Sequence, residues 1–342
     1  MRERIKWIDV VKFFGIFAIY MIHYGEKAGK GGNFALAYCV PLFFLVSGCM
    51  ENMNKEENIV RYVLKKVTTI LVPCFFFACA TVMIKVVDNG YGLGYIKGSL
   101  LLIIRGIIRN TFENGSLWFL TCLFSIQMMF FLVKRLKYKS LMIMVCIGLY
   151  YTAIELLPVN PMYAPSWPFN VDSALFYMLY YAIGYLIYPY VVRLFVLDTT
   201  KKKVFFCVLG GFSVAYTIGL YFGTDIIVNF LYPIIGGVFY PVLTTCIIIW
   251  ANFTIARVVQ DVEILSEIGK NTLYLCGSEY IIKYLISNFA TLVGIQLSVT
   301  YPLQTYLYIW FLLVVTNKYI VPIEKKFLKK VGDKNAIRGK MA

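Results

Sequence analysis

Apolar runs of about 20 residues recur along the whole chain, at roughly 7–25, 34–50, 67–87, 115–133, 140–157, 173–192, 204–222, 229–253, 271–292 and 302–320. Wound into a helix, a run of that length matches the hydrocarbon core of a bilayer. Only helices and closed barrels satisfy their own backbone polar groups in that medium. No soluble domain repeats such runs from end to end. The expectation is an all-α polytopic membrane protein of about ten transmembrane helices.

A net charge of +15 would suit a nucleic-acid binder, but its distribution argues against one. The cations sit in short clusters between the apolar runs, the pattern that sets membrane orientation. With both termini in the cytoplasm, 25 of the 33 Lys and Arg fall on the inner side and six on the outer (Lys27, Lys30, Lys85, Lys97, Arg105, Arg109), while Lys12 and Lys283 lie within spans. We therefore expect cytoplasmic termini and no nucleic-acid partner. One transmembrane domain is expected over 1–330, with a basic cytoplasmic tail at 331–342. The N-terminal Arg2, Arg4 and Lys6 precede an apolar run that lacks a clean cleavage site, so it reads as a retained span rather than a signal peptide.

The nine cysteines all lie in or beside apolar segments and none forms a C-x-x-C pair, so they read as small buried hydrophobes. With one histidine in the chain, a protein-bound transition metal is not expected. The loop at 158–172 is rich in proline and aromatics and falls on the outer side. Residues 98–112 are too short and too charged for an ordinary span; Arg105 and Arg109, one turn apart, suggest an interfacial or re-entrant helix.

Three charged or titratable residues interrupt the first apolar run. Lys12 carries a charge that costs at least about 2.5–3.5 kcal/mol at the centre of a bilayer. His23, the only histidine, follows eleven residues later, so the two fall roughly 20° apart on one helix face. Asp9 lies near the same stripe. That face must look into protein or water. On the ninth run Glu279 and Lys283 are spaced i, i+4 in the favourable order.

These residues sit in a wider pattern. Ile8-Asp9-x-x-Lys12, ten residues and His23 are followed by Val40-Pro41-Leu-Phe-Phe-Leu-Val-Ser47-Gly48. Lys65-Lys66 leads into Ile70-Leu-Val-Pro73, Gly115-Ser-Leu-Trp118-Phe-Leu120 opens the fourth run, and Ile268-Gly269-Lys-Asn271-Thr-Leu273 opens the ninth. The chain resembles the acyltransferase 3 family of integral-membrane acyltransferases over nearly its whole length. The resemblance implies transfer of an acyl group, usually acetyl from acetyl-CoA, to envelope saccharides, with His23 catalytic and Lys12 a second functional position. Three departures stand out. Lys12 replaces the more usual Arg, Lys66 and Thr69 align with an Arg-x-x-Arg pair, and Glu279 stands where many relatives have a second histidine.

Acyl transfer to a hydroxyl needs a group to accept the hydroxyl proton, and a neutral imidazole does this near neutral pH. His23 is the expected base; transient acylation of its ring is the alternative, and an interfacial histidine with no chemistry is the plain one. Lys12 is expected to serve the donor, against a structural ion pair with Asp9. Lys65 and Lys66 are candidate donor contacts, although orientation alone explains a basic cluster there. Arg105, Arg109, Glu113, Trp118 and Glu279 are candidate substrate contacts, weighed against interfacial anchoring and, for Glu279, a neutral pair with Lys283. Ser47 beside Gly48 reads as a packing position. The expected activity is O-acyl transfer at the plasma membrane, from cytoplasmic acyl-CoA to an external envelope glycan or lipid-linked saccharide, with no permanently bound cofactor. A transporter or flippase would also explain buried charge, but the two halves of the chain show no repeat of each other. A non-catalytic sensor would leave the Lys12–His23 register unexplained.

Overall fold

The computed structural model describes residues 5–53, 58–89, 92, 94–101, 115–294 and 299–328, and among these every regular element is helical. The elements used below are α1 (Lys6–His23), α2 (Gly29–Leu36), α3 (Cys39–Asn52), α4 (Ile59–Lys66) and α5 (Val72–Asn89). They continue as α6 (Trp118–Val133), α7 (Lys139–Tyr151), α8 (Val171–Phe195), α9 (Thr200–Tyr221) and α10 (Val228–Val258). The last three are α11 (Glu263–Lys270), α12 (Thr272–Leu292) and α13 (Pro302–Val315).

Seven helical stretches among the described residues are long and apolar enough to cross a membrane, and eight if the bent pair Gly25–Leu36 and Cys39–Asn52 is one crossing. This is a multi-pass membrane protein. Outside that set lie α1 and α12, of 18 and 21 residues, the helices that carry Asp9, Lys12, Glu279 and Lys283.

Three local features differ from the sequence expectation. The third span begins at Ile59 rather than 67, because α4 runs through a π-helical turn at Val67–Leu71 into α5. Within that turn the Thr69 hydroxyl donates to the Lys65 carbonyl at 2.7 Å, a side-chain bond that suits a widened turn. Second, α10 is broken at Gly236, whose φ of 74° and ψ of 168° lie outside helical space, between Pro233 and Pro241. Proline removes ladder bonds on either side, and only glycine enters that backbone region at little cost. Third, the short helix α11 fills what read as a loop before the ninth span.

By packing, the chain divides into two units. Unit 1 comprises residues 1–54, 179–272 and 299–311; unit 2 comprises 55–178, 273–298 and 312–342. The expected tail at 331–342 lies outside the described residues.

In unit 1, α1 packs against α2, α3, α10 and α11. Trp7 anchors its first turn between Phe195 and Phe253, with ring centroids 5.0 and 5.2 Å away. Glycines set the closest approaches. A Cβ on Gly269 would collide with the Asp9 carbonyl oxygen, so α11 lies against the backbone of α1. A Cβ on Gly48 would meet the Tyr181 carbonyl oxygen and one on Gly184 the Leu45 carbonyl oxygen. Thus α3 and this part of α8 touch backbone to backbone, as small residues permit within membranes. The Cys49 thiol donates across that contact to the Gly184 carbonyl at 3.4 Å.

In unit 2, Ile70, Cys74, Phe77, Ala78 and Val82 of the third span form a core with Leu117 and Leu120, against which Leu273, Tyr274 and Ile281 pack. The 158–172 loop is pinned by Asp172. Its carboxylate accepts the backbone N–H groups of Ser166 (2.7 Å), Trp167 (3.2 Å) and Ser173 (2.8 Å). Phe169 and Asn170 both adopt φ of 53°, a strained conformation for such residues. Hydrogen bonds from Ser125 to the Phe169 carbonyl and from Thr121 to the Asn170 side chain, each 2.8 Å, hold them there.

Candidate active site

The residues of interest fall into two groups, one in each unit. In unit 1, α1 is an uninterrupted helix from Lys6 to His23, so the register that puts Lys12 and His23 on one face is kept. The rise between them is about 16 Å. Asp9 is almost wholly buried, and its carboxylate accepts from the Lys12 ammonium at 3.4 Å. The structural ion pair weighed for Lys12 is therefore present. The Lys12 side chain keeps about 20% of its surface accessible beside this pair.

His23 is the last residue of α1 and is exposed. The chain turns sharply after it, through Gly25 (φ 54°) and Gly29 (φ 57°) into α2. Both glycines occupy left-handed space that other residues enter only with strain. The first part of α13 fastens this turn. Tyr306 donates to the Ala28 carbonyl at 2.7 Å and Thr305 to the Lys27 carbonyl at 2.8 Å. Tyr24 packs edge-on against Tyr308 with centroids 6.0 Å apart. The imidazole thus stands at a helix end whose exit is fixed by hydrogen bonds to residues almost 280 positions away, a support that sequence spacing alone does not reveal.

In unit 2, Glu279 is buried. It accepts from the Lys283 ammonium on the next turn of α12 and from the Ser116 hydroxyl at 3.4 Å. The Cys276 thiol reaches the Ser116 carbonyl at 3.8 Å. The glycine-serine-leucine-tryptophan segment that opens the fourth span therefore meets α12 at the position where the family resemblance leads one to expect a histidine. One turn of α12 is set against the third span by Gly277, where a Cβ would collide with the Phe77 ring. Trp118 lies near Tyr177, with centroids 6.0 Å apart and rings tilted by 37°. Ser116 was not expected from sequence at this site; its only signal was its place next to Leu117 and Trp118 in the motif.

Lys65 is exposed on α4 and Lys66 half-buried. The Lys66 ammonium lies 4.9 Å from the centre of the Tyr62 ring. Arg105, Arg109 and Glu113 lie outside the described residues. All nine cysteines are free thiols, six of them buried.

An acyltransferase family model, described as an acyltransferase domain, matches residues 5–316. The chain belongs to the acyltransferase 3 family. The match takes in both groups of residues, from Asp9 and His23 to Glu279 and Lys283. It assigns this membrane protein to the acyltransferases without naming donor or acceptor. No curated protein and no solved structure matches the chain. Within the acyltransferase, the family's motifs acquire physical meaning. The Gly of Ser47-Gly48 is a helix contact, Gly269 seats α11 on α1, and Ser116 reaches a buried carboxylate.

Proposed function

We propose that the protein is an O-acyltransferase of the plasma membrane that carries acetyl from cytoplasmic acetyl-CoA to a hydroxyl of an external envelope glycan or lipid-linked saccharide. The observation that carries this reading is the family match over residues 5–316, taken with a single histidine at the end of a helix that also bears Lys12. The 25-to-6 split of Lys and Arg supports cytoplasmic termini, which puts His23 at the outer face and Lys12 nearer the donor's compartment.

In this mechanism His23 takes the proton of the acceptor hydroxyl as the oxygen attacks the thioester carbonyl. The tetrahedral intermediate then collapses with loss of the coenzyme A thiolate, which takes up a proton, and the saccharide gains an ester. A positioned base of this kind contributes about 10²–10⁴-fold. Lys12 lies along the same face of α1 and offers a cation to the donor on its way outward.

Sealed vesicles of known orientation provide the test. Labelled acetyl-CoA supplied only to the cytoplasmic face is expected to place label in saccharide on the opposite face. Label appearing only when donor and acceptor share the outer compartment would refute the proposed donor side.

A further inference from the structure

The end of α6 carries a charge arrangement that orientation alone does not explain. Phe131 and the fully buried Tyr62 of α4 pack together, with centroids 4.5 Å apart and rings tilted by 35°. Three cations from two helices converge on this pair. The Lys66 ammonium is 4.9 Å from the Tyr62 centroid, and that of Lys134 is 5.2 Å from Tyr62 and 5.0 Å from Phe131. The Arg135 guanidinium carbon is 4.3 Å from Phe131. A bias of cations towards the cytoplasm fixes how many lie on that side. It does not ask both Lys134 and Arg135, consecutive residues of the turn that follows α6, to lay their side chains on one ring pair. Cations gathered so closely on one ring pair offer a seat for a polyanion.

A second observation lies further along the same helix. Gln127, Phe131 and Lys134 are spaced i, i+4 and i+7, on one stripe of α6. The Gln127 backbone carbonyl accepts from the Tyr62 hydroxyl at 3.4 Å. Its side-chain oxygen is buried and has no hydrogen-bond partner among the described residues, a state that asks for an N–H donor. The stripe therefore runs from a cluster of cations, past two aromatic rings, to an unanswered amide oxygen about 10 Å further along the helix.

We infer that Lys134, Arg135 and Lys66 hold the phosphate groups of the acyl donor, and that Gln127 accepts a hydrogen bond from an amide of its pantetheine arm. This rests on the proposed function, in which the donor is an acyl-CoA. Coenzyme A suits the stripe because it joins a phosphorylated nucleotide to a chain with two amides. An anionic lipid headgroup shares the phosphate chemistry but brings no such arm.

The test uses full-length protein in discs of zwitterionic lipid, with Lys134→Gln/Arg135→Gln, Gln127→Leu and wild type compared at matched thermal stability. Adenosine 3′,5′-bisphosphate, which carries phosphates but no thioester, is the binding probe. The double variant is expected to bind it about 10²- to 10⁴-fold more weakly, the loss of two charge-assisted contacts. In turnover, its KM for acetyl-CoA is expected to rise by a similar factor, while its kcat/KM for acetyl-pantetheine, which has no phosphates, stays at the wild-type value. Gln127→Leu is expected to raise KM for both donors, since both keep the arm. Unchanged acetyl-CoA kinetics in the double variant, or equal losses with both donors, would overturn the assignment. So would a wild type that ignores the probe while the double variant loses retention on phosphatidylglycerol vesicles, which would give the site to lipid. Should the wild type bind the probe yet transfer no acyl group, the proposed function would fall and the nucleotide-phosphate site would stand.

Discussion

The Glu279–Lys283 pair gives a prediction whose size follows from its burial. The Glu279 side chain is 4% exposed and that of Lys283 26%. Replacing Lys283 by Met strands a carboxylate in a poorly solvated site with Ser116 among its remaining neighbours. Breaking a buried pair from one side costs about 3–5 kcal/mol, whereas removing both charges together is often close to neutral. Because Lys283 keeps a quarter of its surface, the lower end applies, about 3 kcal/mol. At about 2 °C per kcal/mol for a long chain, Lys283→Met is expected to lower the unfolding midpoint in detergent by about 6 °C. Glu279→Gln/Lys283→Met should recover most of that loss, with a coupling of about 2 kcal/mol between the sites. A double variant no more stable than the sum of its single changes would refute the reasoning. Activity then separates the two roles considered for Glu279. Recovery of rate with stability marks a structural pair, and recovered stability with lost rate places the carboxylate in the reaction.

Other expectations follow from single contacts. Gly48→Ala drives a methyl into the Tyr181 carbonyl oxygen and should cost about 1–3 kcal/mol, read as a lowered unfolding midpoint. Lys12→Met alone leaves Asp9 buried without its cation, so the informative enzyme is Asp9→Asn/Lys12→Met. We expect that double variant to fold and to show a raised KM for acetyl-CoA, and an unchanged KM and rate would remove Lys12 from the donor's path. Asp172→Ala releases three backbone N–H groups and should expose the 158–172 loop to limited proteolysis under conditions where wild type resists it.

How much of this was legible beforehand depends on the range of the interactions involved. The apolar runs placed most spans to within a few residues, because the bilayer imposes one dominant length on them. The runs hid α11, whose eight residues are too short and too polar to register as a span, although Gly269 within it makes one of the closest backbone contacts of α1. The break in α10 was present as Pro233, Gly236 and Pro241, but unbroken hydrophobicity masked it. The Lys12–His23 and Glu279–Lys283 relations are within single helices, so helical spacing revealed both. The meeting of Ser116 with Glu279, and of Lys66 with Lys134 and Arg135 over two rings, spans 163 and about 70 residues of sequence. Only tertiary packing brings those groups together, and no local spacing encodes it.

The central claim is that His23 is the base of an acyl transfer. Its most direct measurement is transfer of labelled acetyl from acetyl-CoA to envelope saccharide in membrane vesicles carrying equal amounts of wild type or His23→Ala. The account predicts a loss of about 10²–10⁴-fold in the variant, with its unfolding midpoint unchanged because His23 is exposed at a helix end. Incorporation by His23→Ala at the wild-type rate would contradict it.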